Sequence, residues 1–271
     1  MYRTVFYISD GTAITAETLG HSLLTQFDGL RLRQVRIPFV DSEDKAIQAK
    51  DRIDRAAGED GLAPIVFNTI VEPRLVEILE TSQGHKMDLF GAFLAALEQA
   101  LGVKRSPHVG RAHGIQDPVS YEHRIEATNY ALDHDDGIDI RFDDAEVILV
   151  GVSRVGKTPT CLYMALHYGV RAANYPLTED DMENLRLPSF LRKHKSKLYG
   201  LEISAERLAQ IRETRRPGSR YASLKQCRRE LEMARSLLQM ENVPLINTTT
   251  ASVEEIGSHI LDHLGLQREL F

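Results

Sequence analysis

The sequence predicts an α/β protein, with an N-terminal parallel-sheet α/β domain over residues 1–140 and a C-terminal α/β domain over residues 141–271. Three observations support this. Short apolar runs alternate with helix-length segments along almost the whole chain, the pattern of parallel strands covered by helices. The motif G-x-x-x-x-G-K-T at Gly151–Thr158 follows one such run, EVILV, and precedes a helical pattern. With 42% hydrophobic and 27% charged residues, the chain has the composition of a globular protein.

In the N-terminal half the strand-like segments are TVFYIS, RQVRIPFV and APIVFNTI. They alternate with the helical segments AETLGHSLLTQF, EDKAIQAKDRIDRAA, PRLVEILETS and DLFGAFLAALEQALG. In the first of these helices Leu19, Leu23 and Phe27 recur every four residues, which predicts one buried stripe. Lys104 to Pro118 loses all periodicity and reads as a connector; it holds His108 and His113. SYEHRIEATNYALDH is helical, and HDDG at His134–Gly137 turns the chain toward the second domain. That domain continues with EVILV, the glycine loop, the helix TPTCLYMALHYG and the strand-like VRAANYPL. A T-x-x-D helix start at Thr178–Asp181 follows, then the strand-like KLYGLEI. Helices AERLAQIRETRR and YASLKQCRRELEMARSLLQM lead to strand-like VPLINTT and a last helix opened by an S-x-x-E capping box at Ser252 and Glu255.

Bulk properties exclude several classes. No apolar run approaches the roughly 18 residues of a membrane span, and MYRTVFYISDGT meets charged and turn residues too early for a secretory segment. A cytoplasmic protein without a membrane partner is expected. Cys161 and Cys227 lack a C-x-x-C partner and read as small buried hydrophobes. Thirteen Lys/Arg against three Asp/Glu lie between Arg186 and Arg229, whereas Asp133–Glu146 holds seven acids and one base. With net charge −6, this asymmetry fits arginines closing over phosphates or meeting an acidic protein surface better than a nucleic-acid interface.

The glycine loop carries the chemistry. Gly151, Val152, Ser153, Arg154, Val155, Gly156, Lys157 and Thr158 form a P-loop whose inward amides and following helix N-terminus cradle a pyrophosphate. Lys157 supplies a point charge to the β-phosphate, and the Thr158 hydroxyl is a candidate Mg²⁺ ligand. No apolar strand after the loop ends in an obvious Asp; Glu202 is the nearest. Asp135 and Asp136, just ahead of the loop strand, are candidates for a general base or for orienting the metal or a hydroxyl, and Asp180 and Asp181 are a second such pair. Arg212, Arg215, Arg216 and Arg220 resemble the mobile cover of small P-loop kinases, and make the C-terminal domain P-loop kinase-like; as a phosphate clamp they would neutralise transferring oxygens bidentately. SDGTAITAET at Ser9–Thr18 is either a second anion or partner site or an ordinary strand-to-helix turn. The residues alone leave a protein phosphotransferase, a small-molecule kinase and a nucleotide sensor open.

Four separated stretches, SDGTAITAETLGHSLL, RIEATNYALDHDDG, GVSRVGKTPTCLYMA and YASLKQCRRE with NTTTASVEEI, resemble the bacterial phosphoenolpyruvate synthase regulatory proteins. They are similar, less closely, to the regulatory proteins of pyruvate, phosphate dikinase. The resemblance covers essentially the full chain. It implies a bifunctional enzyme with ADP as phosphate donor to a threonine of the synthase when the synthase carries a phosphohistidine, and inorganic phosphate as the group that removes that phosphate, releasing pyrophosphate. It implies a protein partner, the synthase or the dikinase, and Mg²⁺ beside ADP; a homodimer is compatible with the sequence, which does not settle the oligomeric state.

Overall fold

The structure, a computed structural model, describes residues 2–104 and 118–266. It contains two compact units, residues 1–116 and 117–271. The sequence-derived boundary at 140/141 is therefore displaced. Helix Pro118–Asp133 belongs to the second unit because Ala127 and Ala131 present a small-residue face that is buried in that unit's core. Most of the expected connector, with His108 and His113, lies outside the described residues.

The first unit runs β1 (Arg3–Ile8), α1 (Ile14–Leu24), β2 (Leu32–Ile37), α2 (Glu43–Asp60), β3 (Ile65–Asn68), α3 (Pro73–Glu80), β4 (His85–Asp88) and α4 (Gly91–Leu101). Its four strands pair in parallel in the order β2-β1-β3-β4. Successive side chains of a strand point to opposite faces. Accordingly Phe6, Ile8 and Val66 pack with Ala49, Ile53, Leu75 and Leu79 on one face, while Val5, Tyr7 and Phe67 meet Ala16 on the other.

Two expectations need correction here. Leu19, Leu23 and Phe27 are not a buried stripe; they are 37%, 45% and 64% exposed. The buried residues of α1 are Ala16 and Gly20. A Cβ at Gly20 would lie 2.7 Å from both Phe67 Cδ2 and Tyr7 Cε1, so the stacked Tyr7–Phe67 rings claim the space a larger residue needs. Strand β4, HKMD, was not expected. It alternates exposed and half-buried residues at the sheet edge and contains no apolar run to announce it.

The second unit comprises α5 (Pro118–Asp133), a 3-10 turn (Asp135–Gly137), β5 (Val147–Gly151), α6 (Lys157–Tyr168), β6 (Ala172–Pro176), α7 (Glu179–Glu183), α8 (Ser189–Arg192), β7 (Leu198–Glu202), α9 (Ala205–Arg215), a 3-10 turn (Arg220–Ala222), α10 (Leu224–Met240), β8 (Leu245–Asn247) and α11 (Val253–His263). Its sheet is also parallel, in the order β6-β5-β7-β8. Strand β5 is buried throughout, as an apolar strand covered on both faces must be. Cys161 and Cys227 are both buried, the expected capping box of Ser252 and Glu255 forms, and the expected helix start at Thr178 forms a second one with Asp181. No helix among the described residues is long and apolar enough to cross a membrane.

Candidate phosphate-binding site

The loop between β5 and α6 is anchored by two apolar side chains, Val152 and Val155, each 1% exposed. Between them Arg154 is exposed at φ 78, and Gly156 follows at φ 99. Gly151, at φ 153, is required for another reason: a Cβ there would stand 2.5 Å from the Leu201 carbonyl oxygen.

The carbonyls of this loop are tied back from outside. Gly151 O accepts from Leu177 N at 3.0 Å, and Val152 O from Lys157 Nζ at 3.1 Å. Ser153 O accepts from Arg212 Nη2 at 3.1 Å, and Val155 O from Thr248 Oγ1 at 3.0 Å. A peptide unit whose C=O is held outward turns its N–H the other way. Among the described residues, no hydrogen bond to the protein occupies the backbone N–H groups of Ser153, Arg154 and Gly156, the other halves of the peptides whose Val152, Ser153 and Val155 carbonyls are tied. They lead into α6, whose N-terminus carries the positive end of its dipole.

Asp135 reaches the same place from the 3-10 turn. Its Oδ1 accepts from Thr158 Oγ1 at 2.7 Å and from Asn174 Nδ2 at 2.6 Å. Asn174 is fully buried on β6, beside the loop strand, and its Oδ1 accepts from Asp136 N at 3.1 Å. Asp136 is exposed and left-handed at φ 48. The structure places Asp135 against Thr158 with Asp136 next to it, and joins both acids to Asn174, which sequence reasoning did not name. The available signal was a polar residue in the middle of AANYP, otherwise a buried strand start.

Lys157 is 3% exposed. Burial lowers its ammonium from 10.5 to about 8, against the opposing pull of the Asp136 and Asp135 carboxylates. Among the described residues no group of three or more His, Cys, Asp or Glu is placed to hold a metal ion.

The expected arginine clamp divides. Arg212 is fully buried and is not part of a mobile cover. Its guanidinium lies 4.0 Å over the Tyr221 ring, pairs with Glu230 at 2.7 Å and donates to the Ser153 and Tyr221 carbonyls. Tyr221 adds a hydroxyl bond to Ser153 Oγ at 3.1 Å. Arg212 lies four residues after the buried Leu208, so it continues the inward stripe of α9; that spacing was the missed signal. Arg215, Arg216 and Arg220 are exposed.

Of the other candidate acids, Asp180 is exposed, and the remaining two are engaged elsewhere. Glu202 pairs with Arg235 at 2.8 Å, and Asp181 closes the Thr178 cap while accepting from Tyr175. In the basic stretch Arg192–Lys197, Lys195 pairs with Glu241 and Lys197 donates to the Asp143 carbonyl, leaving Arg192 and Lys193 exposed.

The model of the kinase/pyrophosphorylase family matches residues 5–261. A protein of Xanthomonas campestris pv. campestris (strain B100) named "Putative phosphoenolpyruvate synthase regulatory protein" is 55% identical over 270 residues, covering 99% of this chain and 98% of the relative. A protein of the same name from Stenotrophomonas maltophilia (strain K279a) is 54% identical over 269 residues, with the same coverage. The chain belongs to the kinase/pyrophosphorylase family.

Proposed function

We propose that this member of the kinase/pyrophosphorylase family is a bifunctional regulator of phosphoenolpyruvate synthase. It transfers the β-phosphate of ADP to a threonine of the synthase, and it removes that phosphate with inorganic phosphate, forming pyrophosphate. The observation that supports a diphosphate grip is the set of three amides without a protein partner among the described residues, Ser153, Arg154 and Gly156, opening onto the α6 N-terminus beside Lys157. The relatives' names support the synthase as target.

The roles follow from position. Gly151–Thr158 hold the diphosphate end of the nucleotide, and Lys157 supplies the positive charge. The Thr158 hydroxyl donates to Asp135, so its lone pairs remain for a cation. With no protein cage of acids among the described residues, that donor set fits Mg²⁺ carried on the nucleotide's phosphates, which would neutralise charge on the transferring group. An acid of the 3-10 turn serves the incoming hydroxyl, and the exposed Arg215, Arg216 and Arg220 are the groups available to close over phosphoryl oxygens. A cytoplasmic location fits both the substrates and the target.

The test mixes purified full-length protein, ADP labelled at the β-phosphate, and synthase carrying its phosphohistidine. Label on a synthase threonine, lost with Lys157→Ala, is expected. Label on a small metabolite would instead identify a metabolite kinase, and ADP uptake without transfer a sensor. Normal ADP uptake by Lys157→Ala would overturn the reading.

A further inference from the structure

Asp135 and Asp136 are sequence neighbours with different employment. Two donors converge on Asp135 Oδ1, one of them the Thr158 hydroxyl of the loop itself, and the residue is half-buried behind them. Asp136 is exposed, and its carboxylate makes no hydrogen bond to any described residue. Its backbone N–H is tied to Asn174, whose amide also donates to the Asp135 oxygen that takes the Thr158 hydroxyl, which puts position 136 beside the start of α6. Its backbone is held at φ 48, a conformation costly for most residues, and the tie that holds it is Asn174 Oδ1 on Asp136 N. Asn174 thus binds Asp135 through its side chain and Asp136 through its backbone, so one acid is occupied and the other is left free.

We propose that Asp136 is the proton acceptor for the incoming threonine hydroxyl, that Asp135 is a positioning residue for Thr158, and that Asn174 enforces this division. The inference rests on the phosphotransfer reading above. A hydroxyl borne by a protein surface reaches the exposed carboxylate, not one already occupied by the loop. In the forward direction the threonine oxygen forms its bond to the β-phosphorus as the bond from that phosphorus to the bridging oxygen breaks. AMP leaves with the bridging electron pair, and the hydroxyl proton goes to Asp136. In the opposing direction an oxygen of inorganic phosphate attacks the phosphothreonine phosphorus and the bond to the threonine oxygen breaks. Protonated Asp136 returns its proton to that oxygen as pyrophosphate forms.

The experiment measures ADP affinity and both turnovers for the native full-length chain and four variants. Asn accepts left-handed backbone, so Asp136→Asn keeps the turn; it is expected to lower kinase and phosphorylase turnover together by about 100-fold or more, with ADP affinity within about threefold of native. Asp135→Asn is expected to act mainly on ADP affinity. Asn174→Ser is expected to lower turnover about tenfold with ADP affinity retained, and to add almost nothing in the Asp136→Asn background. Native-like turnover in Asp136→Asn, loss in only one direction, a turnover loss confined to Asp135→Asn, or additive losses in the double variant would each overturn the assignment. A native chain that neither takes up ADP nor labels the synthase would instead overturn the function on which it rests.

Discussion

The two units carry the same four-stranded parallel topology, first strand second from the edge, yet the turns after their first strands are built in opposite ways. In the first unit the turn after β1 is tied both internally and to the segments after β2 and β3. Gly11 N donates to Ser9 Oγ, the Ser9 and Gly11 carbonyls are taken by Val40 N and Phe39 N, and Asp10 places a buried carboxylate on Val71 N. In the second unit four carbonyls are held away by groups from other elements, the amides are left over, and the buried charge is Lys157. The shared sheet order explains neither property. What separates the two turns is the sign of the charge buried at each: a carboxylate taken up by Val71 N at the first, an ammonium at the second.

The comparison breaks most readily at Arg212. Arg212→Ala removes the Ser153 tie and leaves Glu230 without its partner, so a loss of about 3–5 kcal/mol in urea unfolding is expected, with weakened ADP binding. An ADP affinity unchanged in this variant would mean that the loop keeps its shape without the arginine.

Lys157 gives the next effect, with opposite signs for stability and binding. Its value is depressed in the folded chain, so below about pH 8 the folded state carries a charge that burial disfavours, and stability without nucleotide rises as pH climbs from 8 toward 10.5. Lys157→Met is expected to lower ADP affinity about 100-fold while raising stability by up to about 3 kcal/mol, since a tenfold change in proton affinity between the folded and unfolded chain corresponds to about 1.4 kcal/mol. Because the diphosphate binds the ammonium form, native affinity is expected to be flat below pH 8 and to fall up to about tenfold per pH unit above it, which calorimetry reads as proton uptake on binding.

The first unit sharpens the contrast through packing alone. Gly20→Ala pushes a methyl into the Tyr7–Phe67 stack and is expected to cost about 1–3 kcal/mol by thermal or urea unfolding. Leu19→Gln on the exposed face is expected to change stability by less than about 0.5 kcal/mol. A reversed ranking would restore the leucine stripe as the packing face. Neither substitution is expected to affect ADP binding.

These residues also show what the sequence made legible. Strand-helix alternation and the glycine loop were readable because each is a local pattern, and the loop's neighbours Asp135 and Asp136 were readable because they lie close to it along the chain. Strand β4 was hidden because an edge strand needs no apolar run, and α1 misled because a glycine facing two stacked rings outweighed a regular leucine spacing. Asn174, and the buried bracing role of Arg212, were missed for a common reason: such a side chain is explained by partners distant in sequence, here 39 residues away at Asp135 and 59 at Ser153.

The ties on the loop carbonyls come from Leu177, Lys157, Arg212 and Thr248, so the last arrives 93 residues after the carbonyl it holds. During synthesis, therefore, a polypeptide emerging from the ribosome has the complete glycine motif long before it has the means to shape it. Competence to bind a phosphate at this loop is therefore expected to switch on only after Thr248 has left the exit tunnel.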